Sequence, residues 1–89
     1  MLNPKQLQGI VKGFANHRRI EILELLEKEP ELSLTEISWR LKIHLKTASE
    51  HTRRLAIAGL VLKRYQGNYV RHALTDRARS ILKFLRILE

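Results

Sequence analysis

Leu7, Ile10, Val11 and Phe14 recur at i, i+3, i+4 and i+7, which puts them on one stripe of a helix, and Asn3-Pro4 ahead of them supplies an N-cap with proline at the first helical position. The pattern predicts a short amphipathic first helix that weakens at Gly13. Asn16 is placed to cap a second helix from about His17 to Lys28. The Glu29-Pro30 pair stops it, because a residue before proline is pushed out of the helical region. Its apolar positions, Ile20, Ile22, Leu23, Leu25 and Leu26, cover more than half of the circumference, so it is expected at the centre of the core.

Ser33-Leu34-Thr35-Glu36 fits a capping box and opens a third helix, with Leu34, Ile37 and Leu41 inward, that ends by Lys42-Ile43 after about two turns. His44 or Lys46 opens a fourth, through Ala48, Thr52, Leu55 and Ala58, closed by Gly59 as a C′ residue. Two short helices joined by a few residues make a helix-turn-helix. Leu60 to Tyr65 and Tyr69 to Leu74 are β-rich runs around Gln66-Gly67-Asn68, a hairpin signal because Gly and Asn tolerate positive φ. Thr75 caps a last helix with Ala78, Ile81, Leu82, Leu85 and Leu88 on one stripe and Phe84 and Ile87 off it. The expected fold is mainly α with a small β-hairpin, in the order α-α-α-α-β-β-α, as a single domain over residues 1–89.

Charge sharpens this picture. The 89 residues carry a net +8. Residues 1–39 hold five basic side chains against six acidic ones, whereas residues 40–88 hold twelve against Glu50 and Asp76 alone. A basic excess confined to the helix-turn-helix, the hairpin and the last helix points to a polyanion, which such a surface attracts by Coulomb steering and counterion release. A merely solvated basic face is the alternative. No cysteine is present, which excludes a disulfide scaffold and thiolate metal sites and suits a reducing interior, so the cytoplasm is the default location. No apolar run approaches the roughly 20 residues of a membrane span, and Met1-Leu2-Asn3-Pro4-Lys5 lacks the apolar core of a secretory signal.

Several local strings resemble the winged helix-turn-helix regulators of the ArsR type, over roughly residues 14–75. Phe14-Ala15-Asn16-His17-Arg18-Arg19-Ile20-Glu21-Ile22-Leu23 is similar to that family's approach to its core helix, with Arg19 at the expected place. Leu34-Thr35-Glu36-Ile37 with Leu41 resembles the first motif helix. Thr47-Ala48-Ser49-Glu50-His51, Leu55 and Ala58-Gly59-Leu60-Val61 resemble the recognition helix and its exit, and Gly67 to Thr75 the returning strand of the wing. The chain departs from the family pattern at Lys42 (usually a turn glycine), at His44 (usually a capping serine), and at Thr52 and Arg54 (usually apolar). The family's cysteine metal-sensor pair is absent from Leu34–Ser38, and its site of spaced Asp and His ligands finds only Asp76 and Glu89 on the last helix. The resemblance implies transcriptional regulation, with terminal helices that form a dimer interface.

On a helical wheel Ala48, Thr52 and Leu55 face inward, which turns Lys46, Ser49, Glu50 and Arg53 outward with Arg54 at the edge. With Thr47 these are the candidate DNA-reading residues. Arg53 and Lys46 can donate to guanine O6 and N7, Ser49 can contact bases or phosphate, and Glu50 can accept from cytosine N4. Glu50 has a second reading, as the i+3 or i+4 partner that pre-sets Arg53 or Arg54. Lys63, Arg64 and Arg71 flank the hairpin tip and are candidates for phosphate or minor-groove contact, against a merely soluble basic hairpin. Thr35 and Arg40 are candidate phosphate clamps. Ile57 faces outward and is read as packing near the wing base.

His17, His44, His51 and His72 form no short ligand pair, and no catalytic triad, paired-carboxylate motif or phosphate loop is present, so no metal, cofactor or catalysis is expected. Trp39 falls off the core stripe, as a partner contact or a lid over a core edge. So short a chain buries only about 60 to 65% of its unfolded surface. The surplus apolar residues Leu7, Ile10, Val11, Phe14, Phe84, Ile87 and Leu88 therefore imply a homodimer, which would set two recognition helices one DNA turn apart; completion of a monomeric core is the alternative, and a basic amphipathic membrane helix in residues 75–89 is disfavoured by its many-sided apolar residues. The leading expectation is a homodimeric, sequence-specific binder of double-stranded DNA. The alternatives are a sequence-tolerant architectural DNA binder and a winged-helix module for an acidic protein partner.

Overall fold

In the computed structural model, which describes residues 1–89, the elements run α1 (Pro4–Phe14), α2 (His17–Lys28), α3 (Leu34–Leu41), α4 (Leu45–Ile57), β1 (Val61–Gln66), β2 (Tyr69–Leu74) and α5 (Asp76–Ile87). Side chains close the helix starts. Asn3 Oδ1 accepts from the Gln6 amide at 2.8 Å while Gln6 Oε1 accepts from the Asn3 amide at 2.9 Å, a reciprocal box whose far member the sequence pattern did not single out. Asn16 accepts from the amides of Arg18 and Arg19. Ser33 and Glu36 form the expected box. His44 makes no side-chain cap bond, so α4 begins at Leu45 without one. Thr75 accepts from the Ala78 amide and donates to the Gly59 carbonyl at 2.7 Å, joining the start of α5 to the end of α4.

The α3–α4 turn is made by Lys42 in the left-handed region (φ 55°, ψ 47°). The lysine thus adopts the backbone that a glycine takes more easily. In the hairpin Gln66 pairs with Tyr69, which leaves a two-residue loop of Gly67 and Asn68, with positive φ at Gly67 only. That sign pattern is that of a type II′ turn, so Asn68 does not use the freedom expected of it. Leu32 bridges to His72 and adds a short third edge to the sheet.

The core gathers Ile22, Leu23 and Leu26 of α2, Ile37 of α3, Ala48 and Leu55 of α4, Leu60, Val61 and Leu74 around the hairpin base, and Ala78 and Leu82 of α5. The expected central position of α2 holds, with Ile20 and Leu25 at its edge. On α3 the expected stripe is narrower. Leu34 and Leu41 are half-buried, and Ser38 is buried instead, its hydroxyl donating to the Thr35 carbonyl at 2.7 Å.

Candidate nucleic-acid interface

The face of α4 opposite Ala48, Thr52 and Leu55 is solvent-exposed over Lys46, Thr47, Ser49, Glu50, Arg53 and Arg54. Glu50 organises it. Its carboxylate accepts from Arg53 Nε at 3.1 Å and Nη2 at 2.8 Å, and from Arg54 Nε at 3.2 Å. The hydrogen bonds from Arg53, then Arg54, pull the Glu50 carboxyl down to about 2. In the free chain Glu50 therefore fixes the two arginines, the second of the two roles its position suggested. Lys46 enters no ion pair and leaves its ammonium to solvent.

The wing cations do not form one cluster. Register pairs Arg64 with Arg71 across the hairpin, on the opposite face from Lys63, which pairs with His72. Arg64 bonds to Glu31 at 3.1 Å. Arg71 donates to Gln66 Oε1 at 2.8 Å and to the Glu31 carbonyl at 3.2 Å, and stacks on Tyr69 with its guanidinium 5.7 Å from the ring centroid. Glu31, itself at positive φ, thus anchors the wing to the α2–α3 loop. Nothing in the local pattern of Glu29-Pro30-Glu31 marks that role, because its partners lie about 30 to 40 positions downstream. Thr35 is exposed in the first turn of α3, and Arg40 is engaged with Glu29 at 3.1 Å.

Arg19, given only a family position by the sequence, acts as a staple. Its Nε donates to His51 Nδ1 at 3.1 Å and its Nη1 to the carbonyls of Lys12 and Gly13, which ties α1 and α2 to the middle of α4. Trp39 is 70% exposed, so it is no lid; it borders a cleft with Asn68 and Tyr69 of the wing tip. Ile57 does not pack at the wing base. It is 69% exposed and lines a cleft with Gln6, Ile10 and Lys12 of α1.

Away from α4, an apolar groove of about 330 Å³ runs between α1 and α5, lined by Leu7, Ile10, Val11, Ile81 and Phe84. Phe14 needs correction as surplus surface: at 8% exposure it belongs to the chain's own core and only edges the groove. Ile87 and Leu88 are exposed beyond the groove at the end of α5, and Leu88 lies past the helix, off its buried stripe. No helix is long and apolar enough to cross a membrane. No three His, Asp or Glu side chains converge as metal ligands would.

Residues 16–61, from the cap of α2 to the start of β1, match the family model described as winged helix-turn-helix DNA-binding. No curated protein sequence matches significantly. Among solved structures, HlyU from Vibrio cholerae is 30% identical over 94% of this chain and 88% of its own, with a TM-score of 0.80. The homodimeric winged helix-turn-helix DNA-binding domain Mb0332 from Mycobacterium bovis, described as a possible ArsR-family transcriptional regulator, is 26% identical over 94% of this chain and 78% of its own, at 0.85. NolR from Sinorhizobium fredii, 23% identical over 99% and 94%, shares the fold at 0.85. With a matching family model over half of its length and a fold shared with these proteins, the chain belongs to the winged helix-turn-helix DNA-binding family and is an ArsR-like, non-enzymatic transcription regulator.

Proposed function

We propose that two copies of this chain pack through their α1 and α5 faces and read a two-fold symmetric site on double-stranded DNA, each with α4 in the major groove. The observation that carries this reading is the division of α4 into a face sealed in the core and a face whose arginines are pre-set by Glu50. Arg53 and Lys46 donate to guanine edges, Thr47 and Ser49 contact bases or phosphate, and Glu50 holds Arg53 in register. Arg54, at the edge, and Thr35 and Arg40, at α3, hold phosphates. Arg40 gives up Glu29 to do so; an exposed pair of that kind is worth only about 0 to 1 kcal/mol, so a phosphate replaces the carboxylate readily. Lys63, Arg64 and Arg71 of the wing lie on the backbone or in the neighbouring minor groove.

Homodimerisation rests on the exposed apolar groove of α1 and α5 and on the likeness to the homodimeric Mb0332 domain. Leu7, Ile10, Val11 and Phe84 form its centre, Phe14 its edge, and Ile87 and Leu88 extend it. The test is selection of a random duplex library by the purified chain at about 0.2 M salt, where non-specific contacts are weakened. A two-fold symmetric motif is the expected result, with enrichment lost for Arg53→Ala. Recovery without enrichment replaces the regulator by a sequence-tolerant binder, and no recovery from a folded chain removes DNA as the partner.

A further inference from the structure

A second cleft, of about 520 Å³, lies between α1, the end of α4 and the start of α5, and adjoins the α1–α5 groove, with which it shares Leu2, Ile10 and Arg77. Its shape comes from two glycines one turn apart. At Gly13 a Cβ would stand 2.5 Å from the Ala58 Cβ, so there α1 touches α4; at Gly9 a Cβ would meet nothing within 4 Å, so there the helices stand apart. Four cations line the wedge, Lys12, Arg19, Arg54 and Arg77, together with the apolar Leu2, Ile10, Ile57 and Ala58, and no carboxylate lines it. Three of them are held in place by bonds that leave donors over. Arg19 is fixed through Nε and Nη1, Arg77 through Nη1 to the Ala58 carbonyl at 3.0 Å, and Arg54 through Nε alone. A guanidinium carries more N–H groups than these bonds use. Fixed, unspent donors in one lining with apolar side chains, in a volume ordinary for small-ligand sites, suit an anion with a compact apolar body.

We infer that this cleft binds a small organic carboxylate, its head group on the cluster of Arg54, Arg77 and Lys12 and its apolar part between Ile10 and Ile57. Arg54 gives the site a route to the recognition helix. A carboxylate in the cleft competes with Glu50 for Arg54, and Glu50 is also the acceptor that fixes Arg53. Occupancy therefore changes the setting of the α4 outer face. This last step rests on the DNA reading proposed above; the binding step does not.

The test is calorimetric titration of the full chain, without DNA, with benzoate, with its neutral counterpart benzyl alcohol, and with inorganic phosphate. Benzoate is expected to bind saturably and the other two at least about tenfold more weakly, since one lacks the charge and the other the apolar body. Gly9→Leu fills the wedge where no atom lies within 4 Å, favours the helix, and is expected to abolish binding. Ile57→Glu, at an exposed position, is expected to weaken it about tenfold by placing a like charge at the mouth. Absence of saturable benzoate binding overturns the site, as does equal binding by Gly9→Leu and Ile57→Glu or by phosphate, which would mean an unspecific ion. DNA affinity with and without benzoate is then compared. A change in the unmodified chain but not in Gly9→Leu supports the Arg54 route, and no change overturns that route while the site stands.

Discussion

Thr52 puts a hydroxyl where α4 meets the core: the residue is 1% exposed and its Oγ1 has no hydrogen-bond partner. Leaving a buried donor unmatched costs about 1 to 3 kcal/mol, so Thr52→Val is expected to raise unfolding stability by about 1 kcal/mol in urea titrations. Two histidines make stability pH-dependent. His72 is 2% exposed, and its Nδ1 lies 2.8 Å from the Leu32 carbonyl, which only accepts, so the neutral ring carries its proton there. His51 has the opposite tautomer, since its Nδ1 accepts from Arg19. Burial lowers both from the ordinary 6.5. A lowered folded pKa means that the unfolded chain takes up protons first on acidification. The stabilisation is therefore complete above about 6.5 and declines as pH falls from there towards the folded values. Urea midpoints are expected to drop between about pH 7.5 and 5, with a shallower slope in His72→Gln; an unchanged slope would remove His72 as the cause. Neither tautomer was legible in the sequence, because Leu32 and Arg19 lie far from their histidines along the chain.

At the scale of elements, caps located four of the five helices, because Asn3, Asn16, Ser33 and Thr75 act on amides within three positions, and periodicity alone located α4. Departures occur where geometry is imposed from elsewhere. Lys42 takes a left-handed backbone that closes α3, its amide donating to the Ser38 and Trp39 carbonyls, and His44 starts a helix it does not cap. The glycines of α1 show the same division. Both weaken the helix intrinsically, yet only Gly13 is required by a neighbour. Gly13→Ala is expected to cost about 1 to 2 kcal/mol through its contact with Ala58, whereas Gly9→Ala is expected to stabilise by up to about 1 kcal/mol. Parallel thermal melts of the two variants decide this; equal shifts would mean that α1 is not seated on α4 at Gly13.

For the whole molecule the exposed apolar groove of α1 and α5 is the surface a second copy would cover. Val11 of α1 and Phe84 of α5 both line the groove and are each about half exposed, so a charge at either is tolerated in the single chain. Val11→Glu with Phe84→Glu is expected to give a folded monomer by sedimentation equilibrium and circular dichroism, with DNA affinity falling by at least about tenfold because a half-site alone is bound. A dimer that survives the pair of substitutions places the interface elsewhere. Amino-acid order alone was enough for the helices, the hairpin, the basic second half and the outward face of α4, since all of these follow from capping, periodicity and charge over a few neighbouring positions. Only the folded chain decided that Glu50 grips two arginines at once, that Glu31 anchors the wing, that Phe14 is core and that Ile57 faces a cationic cleft. Those outcomes depend on which surfaces meet after the chain closes on itself, and contacts between residues tens of positions apart leave no period in the sequence.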